Sequence, residues 1–445
     1  MISPARRSEL LDALRRGGVP GRGLGLLAVG LERFRPTLEE ELARVAAGRG
    51  AFKAIRGEYG SGKTFCVRWI QELARQKQFV TAEVQISENE TPLYKLNTVY
   101  RRVIERLSTQ EQAGNALKSI LDLWLPALEA DVEAEDGGPI QDPQRLHARV
   151  HELMRRRLDK VSEAAPMFAQ ALLGYHELLH AGERDLALGV LAWLSGQPNV
   201  AAEAKRRVGV KGEIDHDGAL AFLRGLLVVL RDCGHPGLVL VLDEVETLQR
   251  MRTDVRDKSL NALRQWIDEL TSDLFPGLYL VLTGTPAFFD GQNGVRRLEP
   301  LHQRIQTSFK GPAEFDNPRA PQLRLTGFDL EKLFELGQKV RDVFASGSEA
   351  AGRVLGRVDD AFLRSLARGI VGDLGGKVGI APRLFLRKLV VEVLDKVELY
   401  ESFDPRQHAD VALADEELTR EERALSGRGA LEALELDLGE GDGEG

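Results

Sequence analysis

The chain has 445 residues, 43% of them hydrophobic and 29% charged, with a formal net charge of −8. That length exceeds one ordinary core and predicts two or three domains in a compact, soluble protein. No apolar run approaches the roughly 20 residues that cross a bilayer, and the start from Met1 to Arg7 lacks the apolar stretch of a secretory leader. The acidic balance argues against a molecule drawn as a whole to nucleic acid. Cys66 and Cys233 lie far apart and read as two buried thiols in a reducing cytoplasm.

Residues 1 to about 50 read as helices broken by glycine-rich turns at Gly17-Gly18 and Gly21 to Gly25. Ala51 to Arg56 predicts a short strand, and Gly57 opens a glycine-rich loop. Phe65, Val67, Ile70, Leu73 and Ala74 then recur at helical spacing, and Phe79 to Ile86 reads as a second strand. From about Asn89 to Gly234 the pattern is helical, with segments Leu93–Leu107, Ala116–Leu128, Arg145–Lys160, Ala165–Leu179 and Ala219–Cys233. Glu133 to Pro143 reads as a loop within that block. Leu238 to Leu242 and Leu278 to Leu282 are unbroken apolar runs, as strands buried on both faces require. Between them Ser259–Leu274 is an amphipathic helix, and Gln322–Leu325 fits a further strand.

The predicted organisation is therefore a helical segment at 1–50, a P-loop α/β core from 51–88 and 235–326, an all-helical insertion at 89–234, a helical lid at 327–403 and an acidic tail at 404–445. The stretch from Glu432 to Gly445 holds acidic residues and glycines but no basic residue, a composition that favours disorder.

Gly57-Glu58-Tyr59-Gly60-Ser61-Gly62-Lys63-Thr64 satisfies G-x-x-x-x-G-K-[ST] at every specified position. The glycines let backbone N–H groups turn toward phosphate oxygens, and the following helix adds its positive end. Lys63 would reach the β- and γ-phosphates, and the Thr64 hydroxyl would ligate Mg²⁺. Asp243 and Glu244 follow the first apolar run, at the edge of the sheet where ligands bind. Asp243 would hold Mg²⁺ through water and Glu244 would activate the attacking water, with Glu246 as a rival base. Thr283, at the tip of the next strand, is placed either to bond the attacking water or γ-phosphate, or to cap the following turn.

Arg304 precedes the last strand and could enter a neighbouring subunit's site, with Arg296 and Arg297 as rivals and a surface arginine as the plain alternative. Arg383, in Gly379-Ile380-Ala381-Pro382-Arg383, follows a proline suited to a first helical turn and would point back at the phosphates. His147 and His151 share a helix face that could bind zinc, but no H-E-x-x-H or paired cysteines accompany them, and a solvated helix face explains them. The same reading covers the arginine clusters at 101–102, 155–157, 205–207 and 296–297.

In their order these elements resemble the AAA+ ATPases, particularly the initiator-like and signalling branches, over about 51–86 and 237–400. More narrowly, Ile2-Ser3-Pro4-Ala5-Arg6-Arg7, Leu27 to Leu31, Arg56 to Phe65 and Ala381 to Leu386 resemble the ATP-binding component, BrxD type, of bacterial BREX bacteriophage-exclusion systems. That resemblance implies ATP as ligand and antiviral defence alongside a helicase and other partner proteins.

The expected function is a Mg²⁺-dependent, cytoplasmic ATP-hydrolysing module that assembles with itself or a defence partner and acts on DNA. The alternative is a nucleotide-gated switch or scaffold with little turnover. A sequence-specific DNA reader fits less well, since the last 45 residues are acidic; phosphate contacts from the arginine clusters would bind DNA with little sequence preference.

Overall fold

The two unbroken apolar runs form the centre of a sheet. In the computed structural model, which describes residues 2–373 and 381–409, β3 (Leu238–Asp243) and β4 (Leu278–Gly284) are buried at every position. A strand covered on both faces has no solvent side, so neither alternates. β2 (Val80–Gln85) pairs with β3, and β1 (Ala51–Arg56) pairs with β4, all in parallel. With β5 (Gln322–Arg324) the order is β2-β3-β4-β1-β5. This is the parallel α/β architecture expected from the sequence.

The register sets Gln85 opposite Asp243, and Ile55 opposite Thr283. The carboxyl ends of β2, β3 and β4 thus present Gln85, Asp243 and Thr283 side by side. β1 ends at Arg56, and the next residue opens the glycine-rich loop. In open parallel sheets this edge is where ligands bind.

Eight helices lie between β2 and β3. Phe222 anchors them, making edge-to-face contacts with Phe168 at 5.2 Å, Trp193 at 5.5 Å and Tyr100 at 6.0 Å. Gly225 permits that packing, because a Cβ there would sit 2.5 Å from the Phe168 ring. The helix Leu117–Glu135 runs through Pro126 and continues beyond Leu128 into the stretch read as a loop.

The described residues form two compact units. One contains 36–56 and 73–323, with the sheet and its eight inserted helices; the other contains 2–35, 57–72 and the residues from 324 onward. In the second, Leu10, Leu11 and Leu14 of the helix Pro4–Arg15 share a core with Phe344, Leu363, Phe385 and Val390. Arg15 grips Asp395 through two hydrogen bonds of 2.9 and 2.7 Å, and Arg7 Nε donates to the Phe344 carbonyl at 3.0 Å. The N-terminal helix is thus built into the C-terminal helical unit.

Gly379, Ile380 and the acidic tail from 410 onward lie outside the described residues. Among the described residues no helix is long and apolar enough to cross a membrane. Cys66 and Cys233 are free thiols, both pushed up to about 12 by burial.

Candidate functional site

Gly60 and Gly62 take positive φ angles of 78° and 88°, which side-chain-bearing residues adopt only with strain. They curl the loop onto the first turn of the helix Lys63–Gln76. The curl is tight: a Cβ on Gly57 would fall 2.2 Å from the Ser61 hydroxyl. Lys63 is folded back, donating to the carbonyls of Gly57 at 3.1 Å and Glu58 at 3.3 Å, with Tyr59's ring centre 5.0 Å from its ammonium. The Ser61 hydroxyl is buried without a hydrogen-bond partner. A buried orphan hydroxyl, a cation resting on carbonyls and a helix N-terminus together fit a phosphate chain.

Glu72, on the same helix, accepts the N–H groups of Gly23 at 2.5 Å and Gly25 at 3.2 Å. The early Gly21-to-Gly25 segment is accordingly a tethered turn.

In the sheet unit, Asp243 and Thr283 are 5% and 0% exposed. The Thr283 hydroxyl donates to Asp243 Oδ1. The N–H of Glu244 donates to both, at 2.9 Å to Thr283 Oγ1 and 3.1 Å to Asp243 Oδ1. These bonds hold Glu244 in the left-handed region, φ 58° and ψ 40°, which is strained for a residue with a side chain. Its carboxylate accepts a 2.8 Å hydrogen bond from Gln85 Nε2. Glu246, the rival base, is buried, whereas Glu244 is half-exposed. Burial, with the charges of Glu83 and Glu244, pushes the Asp243 carboxyl above its ordinary range against the pull of Thr283.

The arginines separate clearly. Arg304 is bonded to Asp268 and to the Pro300 carbonyl at 2.5 Å, and Arg297 to both oxygens of Asp257. Arg296 is exposed. In the other unit Arg383 lies in the helix Ala381–Arg387, where a Cβ on Gly17 would be 3.6 Å from its Nη1.

The sequence from residue 2 to residue 412 matches the family of BREX system ATP-binding protein BrxC/D. The chain belongs to that family. As a BrxC/D protein it is an ATP-binding member of a BREX defence system. No curated protein matches it in sequence. A solved structure of the Aeropyrum pernix ORC2 protein, in ADPNP-ADP complexes, is similar at 13% identity and a TM-score of 0.34, covering 81% of this chain and 67% of that one.

Gln85 belongs to no motif in this BrxC/D sequence. Its only cue there is a polar residue ending an apolar strand, and its role depends on the β2–β3 register. A testable consequence concerns Asp243. An acid whose folded pKa lies above its unfolded value stabilises the fold at low pH, and that contribution is lost as pH rises through the folded pKa. Asp243→Asn keeps an oxygen for Thr283 and removes the buried charge. It is expected to stabilise the nucleotide-free protein near neutral pH by about 0.5–2 kcal/mol, a gain that disappears in acid. Urea unfolding at the two pH values checks it; a loss of stability at neutral pH would contradict it.

Proposed function

We propose that the chain hydrolyses ATP, with Gly57 to Thr64 taking the phosphates and Glu244 acting as the base. The observation that carries this reading is the posture of Glu244: strained, half-exposed, held at its backbone by Asp243 and Thr283 and at its carboxylate by Gln85. Strain held in place by neighbours is characteristic of functional positions. A protein that only binds nucleotide has no need to aim a carboxylate.

Lys63 would leave the Gly57 and Glu58 carbonyls to meet the β- and γ-phosphates. Thr64 and Asp243 would hold Mg²⁺, which when bound neutralises charge on the phosphate oxygens. Glu244 would draw the proton from the attacking water, and Thr283 would fix the carboxylate and backbone beside it. Arg304 stays a candidate for a neighbouring copy's nucleotide, since an exposed ion pair such as that with Asp268 is worth only about 0–1 kcal/mol and yields readily to phosphate. Arg383 would point back from the helical unit at the phosphates.

Action on DNA and assembly with other BREX proteins complete the proposal. The arginine clusters offer it modest support. Arg102 is paired with Glu105, Arg156 with Glu135, Arg157 with Asp131 and Asp232, and Arg207 with Glu183. Any DNA contact they make must displace those carboxylates and will weaken steeply with salt.

The test is ATP hydrolysis by the purified full chain, with and without double-stranded DNA, beside Lys63→Ala. Turnover raised by DNA and abolished by Lys63→Ala is expected. Tight ATP binding that Lys63→Ala removes, with no turnover under either condition, would instead favour a nucleotide-gated switch.

A further inference from the structure

The helix Pro143–Arg157 carries His147 and His151, and the helix Pro166–His180 carries His176 and His180. Each pair is four residues apart and so shares one helix face. The two faces meet. The His147 ring stacks on His180 at 3.9 Å between centroids and on His176 at 4.5 Å. His151 lies 6.2 Å from His147 and 6.3 Å from His176.

Four imidazoles gathered this way do not satisfy one another. Nδ1 of His147 and Nδ1 of His176 are buried without a hydrogen-bond partner, and His176 as a whole is only 7% exposed. Packing alone does not account for two orphaned ring nitrogens, because aliphatic side chains would fill the space without leaving buried polar atoms unpaired. A carboxylate oxygen of Glu177 sits 3.1 Å from Nε2 of His151, though out of line for a hydrogen bond.

We propose that His147, His151, His176 and His180 form a site for one divalent transition-metal ion, zinc or a cobalt or nickel equivalent, that clamps these two helices together. As the rings stand, no three His, Cys, Asp or Glu groups among the described residues are set to hold an ion, so the stack must fan open to receive it. Two imidazoles sharing a tetrahedral ion at about 2.0–2.1 Å have centres roughly 5 Å apart. The observed separations of 3.9 to 6.3 Å bracket that distance.

An all-imidazole set selects zinc-like ions over Mg²⁺, which keeps this site chemically separate from the nucleotide's metal. Glu177 would take the outer N–H of His151, orienting the ring as carboxylates do behind metal-bound histidines. The ion would act as a staple within the helical block.

The experiment uses the full chain without a polyhistidine tag, stripped by chelator and titrated with Co²⁺ in the absence of nucleotide. One Co²⁺ per chain is expected, with the intense visible bands of a four-coordinate site, displaced by Zn²⁺. His147→Ala and His180→Ala should each weaken binding at least about tenfold, and Glu177→Gln about tenfold. His180 is exposed, so His180→Ala keeps the test valid if His147→Ala fails to fold, as circular dichroism would report. Absence of the bands, or bands and affinity unchanged in His180→Ala, overturns the proposal.

Discussion

Glu244→Gln is expected to leave ATP binding intact and reduce turnover by about 10²–10⁴-fold, the usual contribution of a positioned general base. The substitution is informative because so little else changes. Glutamine matches glutamate in size, and its carbonyl oxygen can still accept from Gln85 Nε2, the 2.8 Å partner of the native carboxylate. The backbone N–H at 244 keeps its bonds to Asp243 and Thr283, and the left-handed conformation carries the same strain. What disappears is the ability to take a proton. Phosphate release and equilibrium ATP binding, measured together, separate the outcomes. Turnover near wild type would remove Glu244 as the base and direct attention to Glu246. Undetectable turnover in the wild type and variant alike, with binding unchanged, would favour the switch.

What the sequence reveals depends on how local the physics is. The phosphate loop is legible because its chemistry sits in consecutive residues: glycines that permit positive φ, then Lys63 and Thr64 at the start of a helix. β3 and β4 are legible because burial on both faces demands unbroken apolar runs. Gln85 is not, since it meets Glu244 only after two strands distant in the chain have paired in register. The histidine quartet is similarly hidden. His147 and His151 alone describe an ordinary solvated face, and only the packing of two helices adds His176 and His180. The N-terminal helix reads as a separate segment because its docking partners, Phe344 and Asp395, lie more than 300 residues away in the chain. In each case the missing information is tertiary.

Lys53 is the plainest instance, and it carries the largest expected effect on stability. A lysine in a short strand normally points to water, but this one is 1% exposed. Its ammonium lies 2.7 Å from Glu41 Oε1 and donates to the carbonyls of Ala320 at 2.8 Å and Pro318 at 3.0 Å. Glu41, itself 5% exposed, also accepts the Tyr279 hydroxyl. Glu41→Ala removes the carboxylate that balances the buried ammonium and accepts the Tyr279 hydroxyl, and is expected to cost about 3–5 kcal/mol. Burial already holds the Lys53 pKa below its ordinary value of 10.5, and Glu41 is what opposes that fall. Without Glu41 the pKa drops further. Between the folded value and 10.5 the unfolded chain binds more protons than the folded one, so stability rises with pH across that window. The loss caused by Glu41→Ala should therefore shrink between about pH 7 and about pH 10, as read from urea midpoints. Glu41→Gln combined with Lys53→Met retains an acceptor for Tyr279 and buries no charge, and should recover most of the loss. A cost for Glu41→Ala that stayed constant with pH would mean that the abandoned ammonium is not its source, and that the cost arises instead at the Tyr279 hydroxyl and in the cavity left by the glutamate side chain.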